Sequence, residues 1–147
     1  MKYFKYFLAF LAISFISGKL NATEEWKAKW ITDPKAQNAT NTWLCFRRDF
    51  KIENPPPSAI ARIATDTKYW LWVNGDLVVF EGGLKRGPNP DDTYFDEVDI
   101  APFLKKGNNS ISILTWYFGK DGFSHNSSGK AGLLFQCDAP GVEILSD

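Results

Sequence analysis

The residues of this chain that could do chemistry fall in three places. The first is a crowded acidic stretch, Asp91, Asp92, Asp96, Glu97 and Asp99. Paired carboxylates are what acid–base cleavage of a glycosidic bond needs. On an extended strand, however, Asp96 and Glu97 point to opposite faces. The simpler reading is a solvated loop and strand edge, with Asp91 and Asp92 plus loop carbonyls as candidate calcium ligands, because calcium takes clustered oxygens. The second place is His125, the single histidine, beside Ser124, Ser127 and Ser128. Adjacency in sequence is not a triad, and no G-x-S-x-G elbow is present, so His125 reads as a surface-loop residue. The third is aromatic. In Tyr69-Trp70-Leu71-Trp72 a strand would turn Trp70 and Trp72 to one face and Tyr69 and Leu71 to the other. An exposed indole pair can stack on a sugar ring. The competing reading puts one face in the core and the other against a neighbouring domain. Trp116, Tyr117 and Phe118 read as core.

Other chemistries lack support. Gly82, Gly83 and Gly87 do not have phosphate-loop spacing, and no Lys-Ser or Lys-Thr follows them. One histidine and two cysteines without a CxxC leave no zinc-ligand set.

The elements that must position these groups are short strands. Trp43 to Phe50 alternates, with Leu44, Phe46 and Phe50 on one parity and Trp43, Cys45, Arg47 and Asp49 on the other. Pro55-Pro56-Pro57 marks a connection. Ser58 to Thr65 has the content of a buried strand. Tyr69 to Val73 and Leu77 to Phe80 flank Asn74-Gly75-Asp76, a strong hairpin signal because Asn and Gly tolerate positive φ. A long loop, 82–92, leads to a strand from Thr93 to Val98. Asp99 can cap a helical turn through Leu104. Asn109 to Phe118 alternates again, with Ile111, Ile113, Thr115 and Tyr117 on one face, and Leu133 to Cys137 is a last strand. Six or seven strands with almost no helical periodicity predict an all-β antiparallel sandwich.

Composition sets the compartment. Of 147 residues, 17 are basic and 17 acidic, which argues against an electrostatic nucleic-acid binder. Residues 1–22 have the charged start, apolar run and small-residue exit of a secretory signal, and the apolar run from Phe7 to Ile16 is too short to span a bilayer at ~20 residues. Cleavage after Ala22 leaves a secreted or periplasmic chain with no membrane span. Residues 23–42 then form a polar strap docked through Trp26 and Trp30, 43–138 the sandwich, and 139–147 the truncated start of a following segment. Export permits a Cys45–Cys137 disulfide, whose long loop would stabilise by roughly 4–5 kcal/mol in the chain-entropy model. Asn21, Asn38, Asn108 and Asn126 lie in N-x-S/T sequons, relevant only in a eukaryotic secretory host.

From Trp30 to Asp138 the chain resembles the N-terminal β-sandwich of bacterial α-L-rhamnosidases. The carrying residues are Trp30-Ile31, Phe46-Arg47-Arg48-Asp49-Phe50, Tyr69 to Gly75, Phe80 to Pro88, Tyr94 to Asp99 and Leu104 to Asn109, with Trp116 to Gly132. The shorter F-R-x-x-F and V-N-G elements also resemble the sugar-binding sandwich of β-galactosidases and β-glucuronidases. The resemblance implies a galactose-binding-like jelly roll. It places the family's catalytic carboxylates in a later helical barrel for which this chain has no room, so no catalytic residue is assigned. The expectation is a non-catalytic accessory domain whose partner is a rhamnose-containing glycan or a neighbouring catalytic domain. Trp70 and Trp72 would stack on sugar rings, and Lys85, Arg86 and Asn89 on the long loop would donate to hydroxyls. The alternatives are a structural interaction domain without ligand and a small enzyme built on the acidic stretch.

Overall fold

A computed structural model of the protein describes residues 25–36, 39–84, 94–123 and 125–147. Among these residues eight strands make two sheets. The first contains β1 (Thr42–Ile52), β6 (Gly107–Tyr117), β3 (Lys68–Val73) and β4 (Asp76–Gly83), in that order. The second contains β5 (Asp96–Asp99), β2 (Ile60–Asp66), β7 (Gly132–Ala139) and β8 (Val142–Leu145). Every pairing is antiparallel. The only other regular element among the described residues is a 3₁₀ turn at Ala101–Phe103. This is the expected all-β jelly-roll sandwich.

The two sheets differ in pattern because they differ in cover. In β3, Tyr69, Leu71 and Val73 are buried while Trp70 and Trp72 are half-buried on the opposite face. In β6, Ile111, Ile113, Thr115 and Tyr117 are buried while the alternate residues are not. One face of the first sheet therefore meets the core and the other is open. The second sheet is closed on both faces. Ala61, Ile63, Phe135 and Cys137 enter the central core, while Ala64 and Leu134 pack with Ala28 and Trp26 on the far side.

That far side is covered by the N-terminal strap. Lys27 and Ala28 donate backbone N–H groups to Gln136 Oε1 at 2.8 and 3.2 Å. Lys29 N–H donates to the Ser146 carbonyl, and Ile31 bridges to Leu133. Trp26 docks as expected, edge-on to Phe95 and under the Arg62 guanidinium. Trp30 lies against Gly132 but stays 49% exposed.

One boundary differs from the sequence reading. Residues 142–145, read as part of a following segment, are a strand of the sandwich itself. Val142–Leu145 pairs with β7 and buries Val142 and Ile144 in the same core, turned there by Gly141 at φ 77°. The ending is strand-like in the sequence, but its alternation does not say that its partner is β7 of the same sandwich.

The Cys45–Cys137 disulfide does not form. Both thiols are free, with Cys45 exposed on β1 and Cys137 buried on β7. Cys45 shares the outward parity of Trp43 and Arg47, so it points away from the sheet that holds Cys137.

The Asn74-Gly75 turn appears as expected, with φ values of 54° and 94° joining Val73 to Asp76. Asn74 also braces the end of the sandwich. Its Nδ2 donates to the Phe103 carbonyl and to Asn109 Oδ1, both at 2.8 Å, and its Oδ1 accepts from Ser110 N–H at 3.0 Å.

Burial pushes the Cys137 thiol up to about 11, with the Asp138 and Asp99 carboxylates adding to it. Burial and then the Asp96 carboxylate likewise raise the Tyr69 phenol above its ordinary value. The folded state therefore keeps the neutral thiol at a pH where the unfolded chain has ionised it. That stability is complete below about pH 9 and is lost as the pH rises toward 11. Urea midpoints should fall between about pH 8 and about pH 10.5, and Cys137→Ala should flatten part of that fall.

Candidate functional site

The open face of the first sheet is aromatic. Strand register brings Trp43 on β1 opposite Trp116 on β6, and Lys68 on β3 opposite Trp116 on its other side. Trp43 and Trp116 stack with ring centroids 4.8 Å apart and planes 9° from parallel. Trp70 closes on Trp43 at 5.5 Å, and Phe80 of β4 meets Trp70 edge-on at 6.3 Å. At the other end Phe118 meets Trp116 at 4.5 Å. The result is a continuous row of rings contributed by four strands and the segment after β6. Trp43 is 48% and Phe80 72% exposed, so the row faces solvent.

Polar groups hold the row in place. The Trp116 indole Nε1–H donates to Asn41 Oδ1 at 2.9 Å. Lys68 Nζ pairs with Glu81 at 3.1 Å beside it. Such rings offer large, flat, amphipathic area at small cost in conformational freedom.

Of the expected stacking pair, Trp70 belongs to this row. Trp72 shares its face but lies further along β3, in register with Ser112 and Leu77. Trp116 is not core, as the sequence reading had it, because it has the opposite parity to the buried Thr115 and Tyr117. Trp43 went unremarked as a ring to stack on. Its shared parity with Arg47 and Asp49 is the signal that marks it as outward.

Lys85, Arg86, Asn89, Asp91 and Asp92 lie outside the described residues. Asp96 and Asp99 of the acidic stretch are structural. Asp96 Oδ2 accepts from the Tyr69 hydroxyl at 3.1 Å and from Gly83 N–H at 2.9 Å. Asp99 Oδ1 accepts from Ala59 N–H at 2.9 Å and Ala101 N–H at 3.0 Å, which ties β2 to the 3₁₀ turn. The Ala59 and Ala101 amides, with the Ser58 hydroxyl, hold its carboxyl below the usual range. Among the described residues no three His, Cys, Asp or Glu side chains gather as a metal site.

His125 is buried, not a surface-loop residue. Its ring packs edge-on to Phe118 at 5.4 Å and fills the space that a side chain at Gly122 would need. Ser127 and Ser128 turn away from it to Asp66. Among the described residues no nucleophile, base and orienting group converge there; Ser124 lies outside them.

The fold is a two-sheet antiparallel β-sandwich with an aromatic outward face on its first sheet. Comparison with solved structures is more specific. A GH78-family rhamnosidase of Bacillus sp. GL1 matches with a TM-score of 0.72 and 30% identity, over 83% of this chain and 13% of that one. The resemblance to α-L-rhamnosidases read from the sequence is thus also a resemblance in structure.

The α-L-rhamnosidase of Aspergillus terreus matches in fold, with a TM-score of 0.65 and 22% identity over 82% of this chain and 16% of that one. A lectin from Pleurotus ostreatus, solved in complex with GalNAc, also shares the fold, with a TM-score of 0.54 and 16% identity over 82% of this chain and 34% of its own. No family model and no curated protein matches the sequence. The chain spans only 13–16% of the length of these two rhamnosidases.

Proposed function

We propose that this protein is a non-catalytic, carbohydrate-associated sandwich resembling the N-terminal domain of a secreted α-L-rhamnosidase. The aromatic row is its contact surface for a rhamnose-containing glycan. The observation that carries this reading is the stack of an exposed Trp43 with half-buried Trp116 and Trp70 on the outward face of the first sheet. Its solved relatives support it, since they include glycoside hydrolases and a lectin. Residues 1–22 act as the export signal, and Lys85, Arg86 and Asn89 add hydrogen bonds from the long loop. No helix among the described residues is long and apolar enough to cross a membrane.

Calorimetric titration with L-rhamnose and rhamnose-containing oligosaccharides tests the reading. Saturable binding is expected. Trp43→Ala or Trp116→Ala should weaken it about tenfold, the worth of one lost ring contact of roughly 1.4 kcal/mol. Weakening by EDTA would give Asp91 and Asp92 a calcium-holding part. A folded monomer that binds none of these sugars would overturn the reading and leave the row as a packing surface for a neighbouring catalytic domain.

A further inference from the structure

The uncovered face does not end with its aromatic row. Toward the β3–β4 turn the same outward parity carries Arg47 and Asp49 on β1 and Asn108, Ser110 and Ser112 on β6. With Lys105 they line an open groove of about 880 Å³. Arg47 donates from both Nε and Nη2 to Asp49 Oδ1, at 3.1 and 3.0 Å. Arg47 and then the Ser110 hydroxyl hold the Asp49 carboxyl below its ordinary range. A guanidinium and a carboxylate are thereby fixed side by side, each 65% exposed. Trp72 borders this end through its register with Ser112.

We infer that this groove is a second sugar subsite, so that the ligand is a neutral oligosaccharide lying along β1 from the Trp43–Trp116 stack to the Arg47–Asp49 pair. The inference rests on the carbohydrate reading above and adds the length and charge of the ligand. Trp43 and Asp49 stand roughly 20 Å apart at the strand rise, which exceeds one sugar ring. Adjacent donors and acceptors match the vicinal hydroxyls of a sugar, and flat rings match its apolar face. Arg47 pairs with Asp49 and Lys51 with Glu53, so that of the groove's cations Lys105 alone has no ion pair among the described residues, which leaves a small field to attract an acidic partner.

The test is calorimetry on the whole protein with L-rhamnose and with rhamnose-containing di-, tri- and tetrasaccharides. Affinity should rise at least tenfold from the monosaccharide to the tetrasaccharide. Asp49→Ala and Asn108→Ala should remove that gain while leaving L-rhamnose affinity and the melting temperature unchanged. Asp49→Asn, which keeps the side-chain shape, should act like Asp49→Ala and guards against a folding defect. Equal affinity at every length, or a length gain untouched by these variants, overturns the inference and leaves the aromatic row standing. Absence of binding at every length overturns both readings. Sedimentation of the free protein should show a monomer; a dimer that Asp49→Ala dissolves would place a second copy in the groove and overturn the inference.

Discussion

Replacing Asp66 with alanine should lower stability by about 3 kcal/mol and the melting temperature by roughly 10 °C. The carboxylate is 1% exposed at the end of β2. Oδ1 accepts from the Thr67 hydroxyl at 2.6 Å. Oδ2 accepts from Ser128 N–H at 2.6 Å, from the Ser128 hydroxyl at 2.8 Å and from the Ser127 hydroxyl at 3.2 Å. Hydrogen bonds to a charged acceptor are worth more than neutral ones, and their loss strands donors away from water. Alanine would leave the Ser128 amide without an acceptor and release the loop that Asp66 tethers to β2. Asp66→Asn keeps one oxygen for that amide and can donate to the Thr67 oxygen, so it should cost about 1 kcal/mol. Urea unfolding of both variants measures the difference, and limited proteolysis should cut the 119–131 loop first in the alanine form. Equal stability of the parent and the alanine variant would remove the tether from the account.

Gly82→Ala should cost about 2–3 kcal/mol, at the upper end of what overpacking a core incurs. A Cβ at Gly82 would overlap the Tyr69 ring at Cε1 and Cζ. That ring is fully buried and its hydroxyl is held by Asp96, so it cannot swing aside without breaking that bond. Tyr69→Phe should not relieve the clash, because the ring carbons remain. In a Tyr69→Leu background the added methyl should cost measurably less, and a double-mutant cycle by urea unfolding isolates that coupling. Additive costs would show that the overlap is not what makes Gly82 necessary.

The same glycines show where sequence reasoning reaches and where it stops. Gly82 and Gly83 fail as a phosphate loop on spacing alone, which is a local test. Their purpose is not local. Gly82 makes room for a ring on the neighbouring strand, and Gly83 takes φ 85° beside the Thr67 carbonyl.

Parity behaved in the same way. Alternation within Trp43–Phe50, Tyr69–Val73 and Asn109–Phe118 correctly separates inward from outward residues, because a strand's period is a property of the chain itself. It does not say which strands become neighbours. The Trp43–Trp116 stack and the separation of Cys45 from Cys137 both depend on that order, β1 beside β6 in one sheet and β7 in the other. A coverage argument fails equally. That His125 is buried follows from a glycine at 122, and that Ala64 and Leu134 are enclosed follows from the strap, neither of which has a periodic signature.

The strand order also governs when this domain can fold during its synthesis. Among the described strands β1 has no sheet neighbour but β6, which begins at residue 107. β2 and β3 are made next to one another yet belong to different sheets. Until Gly107 has been made, only the β3–β4 hairpin and the short β2–β5 pair can close. Contacts so distant along the chain carry a large loop-closure cost before they stabilise anything, and they slow folding. The nascent chain therefore keeps the unpaired β1, with its tryptophan and phenylalanines, exposed until most of the domain exists.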